Sequence, residues 1–90
     1  FPVAATNDQF HSKKIVHGVF HNNDALAIPK EEFKSTGEAT TMLGGEELTL
    51  TYDTNLDVIT VHDLNGEHVN SYDAYWFAWY AYHPDTAVYS

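Results

Sequence analysis

The chain has no cysteine, no arginine and no apolar run long enough to cross a bilayer. Each absence removes a class of chemistry. Without cysteine there is no disulfide framework, no thiolate zinc site and no thiol nucleophile. Without arginine there is no planar fork to clamp a carboxylate or phosphate, so an anionic ligand would need backbone donors or histidine. Four lysines stand against thirteen acidic residues, a net charge of −9. That balance argues against nucleic acid, whose binding draws on Lys and Arg neutralising phosphates, and against an anionic membrane surface. Direct membrane insertion is not expected. Serine is sparse and never sits in a Gly-x-Ser-x-Gly elbow, and no Gly-rich phosphate loop follows a strand, so neither a hydrolase triad nor nucleotide binding is expected. No basic, apolar leader precedes Phe1, which reads as a signal peptide absent or already removed.

What remains is a 90-residue chain that reads as one domain spanning 1–90. Residues 1–12 form an extended lead-in anchored by Phe1, Val3 and Phe10. Residues 13–70 form a β-rich core, 71–83 a helix, and 84–90 a turn and tail. Within the core, residues 14–21 read as a strand with Val16, Gly18 and Phe20 on one face and His17 and Val19 on the other. Asn22-Asn23-Asp24 is turn chemistry, so residues 25–28 return as the antiparallel partner. Pro29 closes that strand and suits the first turn of a short helix over 30–34, with Glu31 and Glu32 at its positive end and Phe33 pointing inward. Residues 40–43 read as a short strand stopped by Gly44-Gly45. Residues 47–53 alternate cleanly, and 57–62 form a β-branched run. Asn65-Gly66 signals a hairpin into 67–70.

The C-terminal aromatic run carries both tryptophans. Its spacing predicts a helix over 74–82, capped by Ser71 or Asp73 and ended by Pro84, because alanines interrupt the aromatics and strict alternation is missing. Trp76, Phe77 and Trp79 read as core.

Tyr75-Trp76-Phe77-Ala78-Trp79, then His83-Pro84-Asp85-Thr86, resembles the ending of the uncharacterised prokaryotic domain-of-unknown-function family 3179. Upstream, Phe1-Pro2-Val3, the Lys14-Ile15-Val16-His17-Gly18-Val19 strand and Ala25-Leu26-Ala27-Ile28-Pro29 are similar to its elements, as are Gly44-Gly45 and residues 48–53. Typical members are longer and carry an upstream Cys-Pro-x-Cys element that this chain lacks. The resemblance implies an extracytoplasmic protein, periplasmic or secreted, without an assigned activity. It also implies that the chain is a compact relative or an excised C-terminal domain.

Six histidines invite a metal reading, because neutral imidazole is a common ligand of zinc and copper. Spacing restricts it. His17 and His21, four apart on a strand, sit roughly 13 Å apart and cannot share an ion. His62 and His68 flank the Asn65-Gly66 hairpin and form the better pair, with Asp63 beside them; the plain alternative is surface or hydrogen-bonded structural histidines. The run Asp63-Leu64-Asn65-Gly66-Glu67 lacks the full calcium-loop pattern. Paired acids such as Glu31 with Glu32 read as solvent-facing.

These readings converge on a small α+β domain: a mostly antiparallel sheet of about five or six strands, curled or barrel-like, with one aromatic C-terminal helix. The expected function is a non-catalytic binding or assembly domain that meets a protein partner or a second copy through Tyr75, Trp79, Tyr80 and Tyr82. No cofactor is expected on that reading. The alternative is a Zn or Cu site at His62, His68 and Asp63.

Overall fold

A computed structural model of the chain describes residues 10–90. The expected anchors Phe1 and Val3 lie outside the described residues. The elements run β1 (Ile15–His21), β2 (Asp24–Pro29), α1 (Lys30–Thr36), β3 (Glu38–Leu43), β4 (Glu46–Asp53), β5 (Val58–His62), β6 (Ser71–Tyr75), α2 (Trp76–Tyr82) and β7 (Ala87–Val88).

Local chemistry accounts for the first half. Asn22 and Asn23 both hold positive φ, 52° and 68°, which asparagine tolerates, and the tight turn pairs His21 with Asp24 and Val16 with Pro29. Pro29 then caps α1 in extended conformation, and Gly37 ends it at φ 80° with its N–H on Phe33 O. Gly44 and Gly45, at φ 59° and 80°, turn β3 into β4, and the β4 alternation buries Leu48 and Leu50.

The strands form two separate sheets rather than one curled barrel. One sheet has the order β6-β1-β2-β7 and the other β3-β4-β5. All pairs are antiparallel except β2 with β7. Closure fails because the chain leaves β5 and pairs β6 with β1 instead. The arm expected over 67–70 contributes only a single bridge, His62 with His68, before Val69 N–H makes a last link to Val61 O.

The middle of β1, residues 16–19, is buried on both faces, so its apolar residues do not alternate with polar ones. On one face Val19, with Leu26 and Ile28 of β2, joins Phe33 of α1 and Leu48, Leu50, Ile59 and Val61 of the second sheet. On the other face Val16 and Ala27 meet Trp76 and Trp79 of α2, with Phe10 edge-on to Trp76 at 5.1 Å. The four-stranded sheet is thus the middle layer.

Three expectations about the C-terminal segment need correction. The helix is confined to Trp76–Tyr82, and Ser71–Tyr75 is a strand. Ser71 and Asp73 do not cap the helix, because their side chains bond to His17; the cap position is Tyr75, without a side-chain bond. The segment just before β1 supplies the first partners: Trp76 N–H donates to Lys14 O and Phe77 N–H to Ser12 O. Phe77 is not core but 47% exposed, on the helix face turned from the sheet. No described helix is long and apolar enough to cross a membrane.

Candidate functional site

The His17 face of the β1–β6 pair carries a polar cluster in which His17 and Lys30 are buried, Ser71 is half-buried and Asp73 is exposed. Trp76 N–H donates to Lys14 O at 2.8 Å, which fixes the alternation along the pair. By that alternation His17 and Asp73, direct partners in register, form a non-hydrogen-bonded pair, where facing side chains stand closest. Ser71 lies two residues along β6, so it shares that face.

The geometry is tight. His17 Nδ1 is 2.7 Å from Asp73 Oδ1, and His17 Nε2 is 2.7 Å from Ser71 Oγ. Lys30, at the start of α1, places Nζ 2.6 Å from Asp73 Oδ2 and 3.8 Å from Asp57 Oδ1. His17 and Lys30 are 5% and 9% exposed, so both polar ends sit largely out of water.

Burial lowers the His17 pKa from its ordinary 6.5; the Asp73 hydrogen bond and charge oppose this, and the Lys30 charge adds to it. The imidazole is therefore neutral near pH 7. A carboxylate only accepts, so the ring proton sits on Nδ1 and donates to Asp73, leaving the Nε2 lone pair to accept from the Ser71 hydroxyl. Burial raises the Asp73 carboxyl, but hydrogen bonds from His17 and Lys30, with their charges, outweigh it and hold the pKa below 3.8.

The residues expected to form a surface divide. Tyr75 and Tyr82 are exposed, at 48% and 83%. Tyr75 stacks with Phe77, ring centroids 6.0 Å apart, and the pair forms an aromatic ledge where β6 meets α2. Tyr80 is half-buried against Trp76 at 5.5 Å. Trp79 belongs to the core: it is 1% exposed, and its Nε1–H donates to Thr86 Oγ1 at 2.9 Å. That bond gives the Pro84-Asp85-Thr86 turn a structural role.

The hairpin histidines do meet. His62 and His68 pair across a bridge, with ring centroids 4.9 Å apart and the rings edge to face. Asp63 Oδ1 accepts the N–H groups of Asn65 and Glu67, each at 2.9 Å, so this oxygen is engaged in its own turn. Among the described residues no group of three or more His, Asp or Glu is placed to hold a metal ion. His17 and His21 are separate, as their spacing implies, and His21 Nε2 lies 2.7 Å from Glu46.

Sequence reading missed the Ser71, His17, Asp73 and Lys30 cluster. The available signal was Ser-x-Asp, a spacing that puts both side chains on one strand face, but it only becomes visible once 71–75 is assigned as a strand.

The profile described as Protein of unknown function (DUF3179) matches residues 1–67 of the chain. The chain belongs to DUF3179. The DUF3179 match takes in β1 to β5, with His17, Lys30 and the hairpin up to Glu67, and ends before Ser71, Asp73 and the aromatic helix. No curated protein and no solved structure matches the chain.

Proposed function

We propose that this DUF3179 domain is a binding or assembly module of an extracytoplasmic protein and that the Tyr75–Phe77 ledge meets its protein partner. The observation behind this reading is the ledge itself. Two large rings stack on each other in water, each about half exposed, on a helix whose other face is anchored by buried Trp76 and Trp79. Rigid aromatic side chains at low entropic cost are the usual anchors of protein interfaces. Tyr82, at the end of the same short helix, is also exposed. The charge of −9 makes a second copy a poor match and favours a partner that surrounds its apolar contact with cations. The extracytoplasmic placing rests on the family resemblance.

The experiment is site-specific photo-crosslinking in the source cell, with benzoylphenylalanine at Phe77 and, as control, at Leu64, which is also exposed. A defined partner captured from Phe77 and not from Leu64, in the extracytoplasmic fraction, is the expected result. Equal capture from both positions, or none from Phe77, overturns the proposal.

The second reading, a Zn or Cu site, has the His62–His68 pairing in its favour. It needs a third ligand beyond those two imidazoles.

A further inference from the structure

We propose that Ser71 is a nucleophile, with His17 as its general base and Asp73 holding the imidazole, and that this cluster cleaves small uncharged acyl esters. Three observations support it independently of any sequence motif. The order Ser71 Oγ, His17 Nε2, His17 Nδ1, Asp73 Oδ1 is continuous, with both links at 2.7 Å, within the reach a nucleophile and its base require. The carboxylate is itself fixed, because Lys30 Nζ holds its second oxygen at 2.6 Å. The donor pattern is also directional: with Nδ1–H on Asp73, the only group Ser71 can offer Nε2 is its hydroxyl proton, the proton a serine must lose to attack.

A purely structural tie between β1 and β6 would be served by any donor–acceptor pair on this face. The arrangement here instead places a neutral base, kept neutral by burial, against a hydroxyl that is only half-buried. The strand pairing also sets the main-chain N–H of Ser71 on the outer edge of β6, away from β1, where it is available to an oxyanion. The ligand class follows from charge. With no arginine and a net charge of −9, the chain as a whole disfavours a carboxylate or phosphate substrate, so the acyl group and its leaving group are proposed to be uncharged.

The step balances without a further reactant except water. Ser71 Oγ attacks the acyl carbon while its proton passes to His17 Nε2. The bond from that carbon to the leaving oxygen breaks, and His17 returns the proton to the departing alcohol. Water, deprotonated by His17, then cleaves the acyl–Oγ bond, releasing a carboxylic acid and restoring the Ser71 hydroxyl. Asp73 balances the transient imidazolium charge throughout.

The test is labelling of the chain with an uncharged alkyl fluorophosphonate, which loses fluoride as Ser Oγ bonds to phosphorus, followed by peptide mapping. The expected result is a single adduct on Ser71, absent in Ser71→Ala, and formed about 100-fold more slowly in His17→Gln. Tryptophan fluorescence establishes that each variant is folded. If His17→Gln fails to fold, the wild-type labelling rate against pH decides. A rate that climbs with pH with its midpoint below the ordinary 6.5 is expected of a base whose pKa is lowered, and a flat profile overturns the proposal. No adduct on Ser71 in folded wild-type protein, or equal labelling in folded His17→Gln, also overturns it.

Discussion

The main chain of Gly18 lies so close to the six-membered ring of Trp79 that a Cβ at Gly18 would overlap three of the ring's carbons. Strand β1 can be the middle strand under α2 only because this position carries no side chain. Gly18→Ala is therefore expected to destabilise the domain by about 1–3 kcal/mol through overpacking, and Gly18→Val by more. Urea unfolding followed by tryptophan fluorescence measures both. An alanine variant as stable as wild type would show that α2 does not sit on β1 in this way.

Trp79 and Phe77 are two residues apart in one aromatic run, yet the structure gives them opposite roles. Trp79→Ala removes a fully buried indole together with its bond to Thr86, and is expected to cost about 3–5 kcal/mol, enough to unfold a domain of this size. Phe77→Ala removes a half-exposed ring and is expected to change stability by about 1 kcal/mol or less. Circular dichroism melts of the two variants check the order; a reversed order would put α2 on its other face.

The elements that were legible in the sequence are those whose signals are local. Asn22-Asn23, Pro29 and Gly44-Gly45 each impose a backbone conformation on their own neighbours, and Leu48, Leu50 and Tyr52 mark one face of β4 by alternation. What was not legible depends on distant partners. Ser71 and Asp73 are as good at a helix N-cap as on a strand, and the choice is made by His17, more than fifty positions earlier in the chain. Phe77 and Trp79 sit in a run without polar residues to mark its outer face, so composition alone could not separate core from ledge. The same distance effect hid the candidate site, since its residues are gathered by the register of β1 with β6 rather than by a motif. The Asn65-Gly66 turn formed as its chemistry predicts, but β6 left for the other sheet and reduced the second arm to one bridge.

Stability is expected to fall with acid in two windows. The folded pKa of His17 lies below the ordinary 6.5, mainly through burial. As pH drops below about 6.5 the unfolded chain binds a proton that the folded chain does not, so the His17 contribution is complete above that value and lost beneath it, down to the folded pKa. The Asp73 carboxyl is lowered as well: burial raises it, but its bonds to His17 and Lys30 prevail. Its contribution is present above 3.8 and lost as pH falls through the lower folded value. His17→Gln removes the titration, so it should flatten the first window; the second should shrink but persist, because Lys30 still holds the Asp73 carboxylate. Urea midpoints taken from about pH 8 to about pH 3 test this, and an unchanged slope near pH 6 in the variant would place the acid sensitivity elsewhere.

The His62–His68 pair separates the two functional readings most cheaply. Two imidazoles held across a bridge, with Asp63 Oδ1 engaged by its own turn, supply fewer protein ligands than the three or four of a zinc site. If no further ligand joins them, calorimetric titration with Zn²⁺ at pH 7.5 should show weak binding, with a dissociation constant of about 10 μM or more, and equal stability with and without chelator. A structural or catalytic ion would bind far more tightly, raise the melting temperature, and lose both effects in the His62→Ala and His68→Ala variants. Tight binding of that kind would favour the metal reading over the aromatic ledge, because a histidine pair closing the hairpin would then have a ligand to organise.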